Sequence, residues 1–276
     1  MKRWIWLVFL LNLHLARAHG DFHFQMERLS EMIIEHPDSA YLHFKKGKLF
    51  FHHEDYKACL KSLKKSQQKG YHDALQTLFL SKAYFELGQL KKAGKYAQSV
   101  IEQTPEHVTA HRILGRIRYA QKRYAEAGDA FEIANQHAIR PIPENYLETA
   151  KAWEALQTPE GIQRAILMVE KGINELGKII SLQNFLKTLL IKKGESDQAI
   201  SLQKRIIDRS TRKEKPWYEL SKMYLQIGDI DKSEYALNHA KNAFDMLPQR
   251  IQHTPAMIDL NQLIINDLKN IKQLPE

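Results

Sequence analysis

The apolar positions of this chain fall into short helical stripes separated by polar turns, and the clearest pair lies toward the C-terminal end. Trp217, Leu220, Ser221 and Tyr224 are spaced i, i+3, i+4, i+7, which puts them on one face of a helix. Gly228 and Asp229 interrupt the stripe. Glycine takes the left-handed conformation that ends a helix at little cost. A second stripe follows at Ile230, Ser233, Leu237 and Ala240. Lys215 to Asp245 therefore reads as helix, turn, helix.

The same unit returns upstream. Cys59, Ala93 and Ala127 are each 34 residues apart, as are Ala165, Ala199 and Ser233; only the step from Ala127 to Ala165 is longer, by four. A fixed period of this length marks a repeat solenoid. Gly47 and Gly115 sit at the small position of first helices, two periods apart. Gly88, Gly194 and Gly228 fall at the turn within a unit, and Tyr56, Leu90, Tyr124, Ile162 and Ile230 open second helices.

The run W-x-x-L-small-x-x-Y at Trp217–Tyr224, with its second stripe, resembles the tetratricopeptide repeat (TPR) family. Ser221 stands where that family has Gly, Ser233 where it has Ala, and Leu237 where it has an aromatic. Asp55–Cys59 and Arg123–Ala127 look like its turn-to-helix segment, and Pro105 falls where the family often has proline. The resemblance covers residues 38–246. It implies an all-α fold: a right-handed TPR superhelix, or α-solenoid, of about six units at 38–71, 72–105, 106–140, 141–177, 178–211 and 212–246. The fourth unit holds the four extra residues between Pro-containing segments, as a loop insertion or as a kink in the superhelix.

Residues 19–37 read as an N-terminal capping helix, apolar at Met26, Leu29, Met32 and Ile33 and closing at Pro37. Residues 247–276 read as a C-terminal cap. Its helix runs from Pro255 to Lys272, with Thr254 as N-cap and a stripe at Met257, Leu260, Ile264, Leu268 and Ile271. Solenoid ends need such caps, with one face buried and one wetted.

Residues 1–18 carry a different pattern. Lys2 and Arg3 precede a largely apolar run from Trp4 to Leu15, followed by Ala16-Arg17-Ala18. This is the three-part arrangement of a secretory signal peptide cleaved after Ala18, the alternative being an uncleaved anchor. Export is expected, and the lack of any N-x-[ST] site points to a bacterial periplasm over a eukaryotic route. No later segment is apolar enough to span a bilayer. Removing 1–18 takes away three of the 41 basic residues and no acid, leaving 38 basic against 32 acidic. Cys59 is the single cysteine, so no internal disulfide is available, and its place at the small position predicts a buried thiol.

Charge matters most where it lines up. Just after the small residue of each first helix stand Lys48, Lys82, Arg116, Lys151, Thr188 and Lys222. Three residues on, the column reads Phe51, Phe85, Tyr119, Glu154, Ile191 and Leu225. In such arrays first helices line a concave groove. The expected partner-binding groove is thus Lys48, Phe51, Lys82, Phe85, Arg112, Arg116, Tyr119, Lys151 and Lys222, with Phe44, Lys45, Phe79, Asn184, Phe185 and Tyr218 alongside. Cations next to aromatics suit an acidic or carboxylate-bearing protein or peptide; ordinary solvated lysines give the same column. Some TPR proteins clamp a terminal carboxylate with Lys and Asn here, but the Asn positions are not clearly filled. A nucleic-acid partner is not expected in an exported protein.

Eleven of the thirteen histidines precede residue 138. His43 and His111 occupy positions that favour a large aromatic and read as core. Cleavage after Ala18 would expose His19, whose amine and ring nitrogen, with His23, form a candidate copper site. No H-E-x-x-H, G-x-S-x-G or phosphate-loop motif occurs, and no enzyme is expected. The leading reading is an exported, non-catalytic TPR scaffold in a periplasmic or envelope complex. The alternatives are a copper-handling protein or an accessory subunit of an enzyme.

Overall fold

A computed structural model describes residues 22–271 and 273; the segment read as a signal peptide, together with His19, lies outside them. The described residues form helices and turns, with no strand among them. The first helix, α1, covers 22–35. Six further helices complete unit 1, which ends at Ile139: α2 (Ala40–His52), α3 (Tyr56–Gln68), α4 (Ala74–Glu86), α5 (Leu90–Gln103), α6 (Val108–Ala120) and α7 (Tyr124–Gln136). Unit 2 begins at Arg140 and holds α8 (Pro143–Glu154), α9 (Pro159–Leu176), α10 (Ile180–Lys193), α11 (Ser196–Arg209), α12 (Glu214–Gln226), α13 (Ile230–Asp245), α14 (Gln249–Gln252) and α15 (Pro255–Ile271). Within each unit, successive helices pack in pairs, α2 on α3, α4 on α5 and so on, which is the all-α helix-turn-helix repeat expected from the sequence. None of these helices is long and apolar enough to cross a membrane.

The 34-residue beat sets the core. Cys59, Ala93, Ala127, Ala165 and Ala199 are fully buried, and Ser233 nearly so. Burial pushes the Cys59 thiol up to about 12, which leaves it a protonated, unreactive core group. At Gly115 a Cβ would lie 2.6 Å from Phe131 Cε1, so only glycine lets α6 come this close to α7. Two of the serines at small positions are satisfied across the pair: Ser81 donates to the Ala93 carbonyl at 2.8 Å and Ser233 to that of Ser221 at 2.9 Å, while Ser221 donates to the Tyr218 carbonyl of its own helix at 2.7 Å.

The beat also places caps and turns. Ser39, Asp73 and His107, 34 apart, each accept a backbone N–H at the start of α2, α4 and α6. These bonds satisfy donors that a helix start leaves open. The tight turn inside each pair needs one left-handed residue. Gly88, Gly194 and Gly228 supply it at φ +70°, +88° and +79°, as their spacing suggests. Glu54, Lys122 and Gln157 supply it elsewhere at φ +60°, +60° and +55°, where nothing in the sequence marks the need.

Two details differ from the sequence reading. Helix α9 starts at Pro159, not Ile162, so most of the extra length of the fourth unit is an added N-terminal turn of helix instead of a loop. Gly161 permits it, since a Cβ there would meet the Trp153 carbonyl oxygen at 2.5 Å. The Thr254 hydroxyl donates back to the Ile251 carbonyl at 2.8 Å, while its own carbonyl accepts from Met257 and Ile258 at the start of α15.

His43 and His111 are buried. His111 Nε2 bonds the Pro105 carbonyl at 2.7 Å, and His43 bonds that of Pro37. Both pairs are six residues apart and recur after two periods. Each imidazole ties a first helix to the turn before it, which a phenyl ring could not do.

Candidate TPR groove

In unit 1, the column cations stand on α2, α4 and α6. Lys48 Nζ is 5.8 Å and Lys82 Nζ 5.5 Å from the centroid of the same Phe79 ring. Phe79 is itself buried and takes the edge of Phe51 at 5.2 Å. Lys82 is half-buried, and burial, with the neighbouring Arg116 guanidinium, holds its ammonium below the usual lysine range. A cation desolvated in this way gains most from an incoming anion. Among the described residues neither Lys48 nor Lys82 has a carboxylate partner.

The remaining unit 1 positions divide. Tyr119 is exposed, with its ring edge-on to Tyr124 at 5.2 Å. Phe51 and Phe85 are half-buried against the core. Arg112 donates from Nη2 to Asn135 Oδ1 at 3.0 Å, which fixes its side chain beside α7. Phe44 and Phe79, placed in the groove by sequence, belong to the core at 4% and 7% exposure. A helix stripe is wider than its four signature positions, and flanking residues are covered by neighbouring helices.

In unit 2 the column is engaged differently. Lys151 is exposed, and the Thr188 hydroxyl bonds the Asn184 carbonyl at 3.1 Å. Lys222 is 3.2 Å from Asp267 of α15, and Tyr218 donates to the same carboxylate at 3.0 Å. Burial and that bond push the Tyr218 phenol up to about 12. Lys187, at the small position of α10, reaches Glu219 at 2.8 Å and Gln203 at 2.6 Å, and Lys192 pairs with Glu154. Sequence reading missed Asp267, which lies 45 residues from the lysine it neutralises.

Toward the N-terminus, His23 is exposed and edge-on to Phe22. No group of three His, Cys, Asp or Glu side chains among the described residues is arranged to hold a metal.

The family model for the tetratricopeptide repeat matches residues 80–138, which span α4 to α7 of the unit 1 groove. A TPR repeat-containing protein of Pseudomonas aeruginosa is 32% identical over 73 residues, 26% of this chain and 70% of that protein. The chain belongs to the TPR family. The TPR fold agrees with solved structures. That of the C-terminal part of a TPR repeat-containing protein from Cytophaga hutchinsonii has a TM-score of 0.66 at 14% identity, covering 88% of this chain and 95% of that one. A TPR protein from Parabacteroides merdae gives 0.54 at 15% identity, covering 90% and 93%. YrrB, described as a TPR protein with an unusual peptide-binding site, gives 0.51 at 16% identity, covering 67% and 93%. TPR proteins are typically non-catalytic scaffolds for protein partners.

Proposed function

We propose that this chain is an exported, non-catalytic scaffold. It holds an acidic or carboxylate-bearing protein segment against α2, α4 and α6 of unit 1, within a periplasmic or envelope complex. The observation that carries the reading is the trio Lys48, Lys82 and Arg116. Two of its cations flank one Phe79 ring, and the middle one is half-buried with a depressed pKa. Opposite charge speeds encounter and selects the sign of the partner, and aromatic surface supplies contact energy. Export rests on the three-part pattern of residues 1–18.

The test is a pull-down from envelope extract, read by mass spectrometry, with the protein and with Lys48→Glu, Lys82→Glu and Arg116→Glu combined. Loss of one or more acidic partners with unchanged helical circular dichroism is expected. The same partners captured by the reversed protein would reject the groove. Mass measurement of the protein recovered from cells checks export, since the expected product lacks residues 1–18.

A further inference from the structure

We propose that a cleft between α1 and α2 receives one bulky apolar side chain of the acidic segment, so that the partner is recognised by an apolar residue set among carboxylates. This rests on the unit 1 groove reading and adds to it a specificity site built partly from a helix outside the repeats. Arg28 of α1 and Lys45 and Lys48 of α2 line a cleft of about 520 Å³, with no carboxylate among its lining residues. Its apolar part is Leu29, Met32 and Leu49, each half-buried and therefore still partly wetted. Covering such surface with a leucine or phenylalanine side chain is favourable. The three surrounding cations disfavour a basic neighbour and attract an acidic one.

The cleft is continuous with the groove through Lys48, which both lines the cleft and stands over the Phe79 ring. It is also held in shape. The Phe22 ring lies 3.7 Å from that of His53, and Lys46 Nζ donates to Ser30 Oγ at 3.3 Å, so α1 is tied both to α2 and to the residue that caps it. A preformed cleft spares the partner the cost of ordering it.

The experiment uses fluorescence anisotropy with two labelled synthetic peptides, both rich in Asp and Glu. One carries a central leucine and the other a serine in its place. The leucine peptide is expected to bind about tenfold more tightly, the order given by burying one apolar side chain. Met32→Asn should erase that difference while leaving the serine peptide's affinity unchanged. Arg28→Glu, at an exposed position that does not threaten folding, should weaken both peptides and keep the ratio between them. A leucine advantage that survives Met32→Asn, or serine-peptide binding untouched by Arg28→Glu, overturns the cleft but leaves the groove standing. Failure of both peptides to bind the unaltered protein overturns the groove reading and the cleft with it. Binding to vesicles of equimolar phosphatidylcholine and phosphatidylglycerol, lost in the same two variants, would overturn the peptide assignment in favour of a membrane surface.

Discussion

Units 1 and 2 are built alike on one side and differently on the other. On the second-helix side, Lys64 and Lys92 lie 5.8 Å and 5.4 Å from the Tyr84 ring centroid in unit 1. Lys204 and Lys232 lie 5.8 Å and 5.7 Å from Tyr224 in unit 2, with the same spacing along the sequence. On the first-helix side, Lys48 and Lys82 share a phenyl ring and no acid, whereas Lys187, Lys192 and Lys222 each have a carboxylate of their own. Of the lysines that line up in sequence, Lys48 and Lys82 thus have no acid, whereas Lys222 is already paired with Asp267. A cation already hydrogen-bonded to a carboxylate has little to gain from a second.

The contrast can be broken first at the small residues. Unit 1 uses Gly47 and Gly115 where unit 2 uses Ala150 and Ser221. Gly115→Ala drives a Cβ into Phe131 and should cost about 1–3 kcal/mol, the usual toll of overpacking. Denaturant unfolding reads this directly, and an unshifted midpoint would show that α6 and α7 can part without loss.

A smaller effect should appear on acidification. Burial first, then Lys65, Lys69 and Lys46, hold His43 below its ordinary value of 6.5, against the opposing effect of the bond it donates to the Pro37 carbonyl. The unfolded chain takes up the proton more readily than the folded one. The contribution of His43 is therefore full above 6.5 and is lost as pH falls through the lower folded-state value. Hydrogen-exchange protection factors in α2 and α3 should fall before those in α12 and α13 as pH falls, and His43→Phe should remove the difference. An equal fall in both pairs would remove the histidine from the account.

The smallest change concerns the turns. Lys122→Gly should stabilise unit 1 by about 1 kcal/mol, because a side chain in the left-handed region is disfavoured by that order. Gly228→Lys should do the reverse in unit 2. A thermal midpoint that moves the other way in either variant would show that the turn is set by something other than its backbone conformation.

The fold was legible in the sequence because its cause is local. A small residue every 34 positions allows two helices to meet, and stripes at i, i+3, i+4 and i+7 say which faces do so. The turns were half legible: glycine announces a left-handed residue, but Glu54, Lys122 and Gln157 adopt the same conformation with a side chain that gives no sign of it. The site was less legible still. The column of cations followed from the period, yet their pairing depends on Asp267, which reaches Lys222 only once α15 has docked. Phe44 and Phe79 flank the stripe, so their burial depends on neighbouring helices that spacing within one helix does not reveal.

The added turn of α9 bears on how such a chain can change length. Three residues, Pro159 to Gly161, extend a helix by nearly one full revolution, so every later side chain returns close to the face it had before. The fourth unit thereby takes up three of its four extra residues as helix and keeps the same tight turn as the other pairs, with one left-handed residue at Gln157. Length is added to the stack without loosening the joint between its two helices.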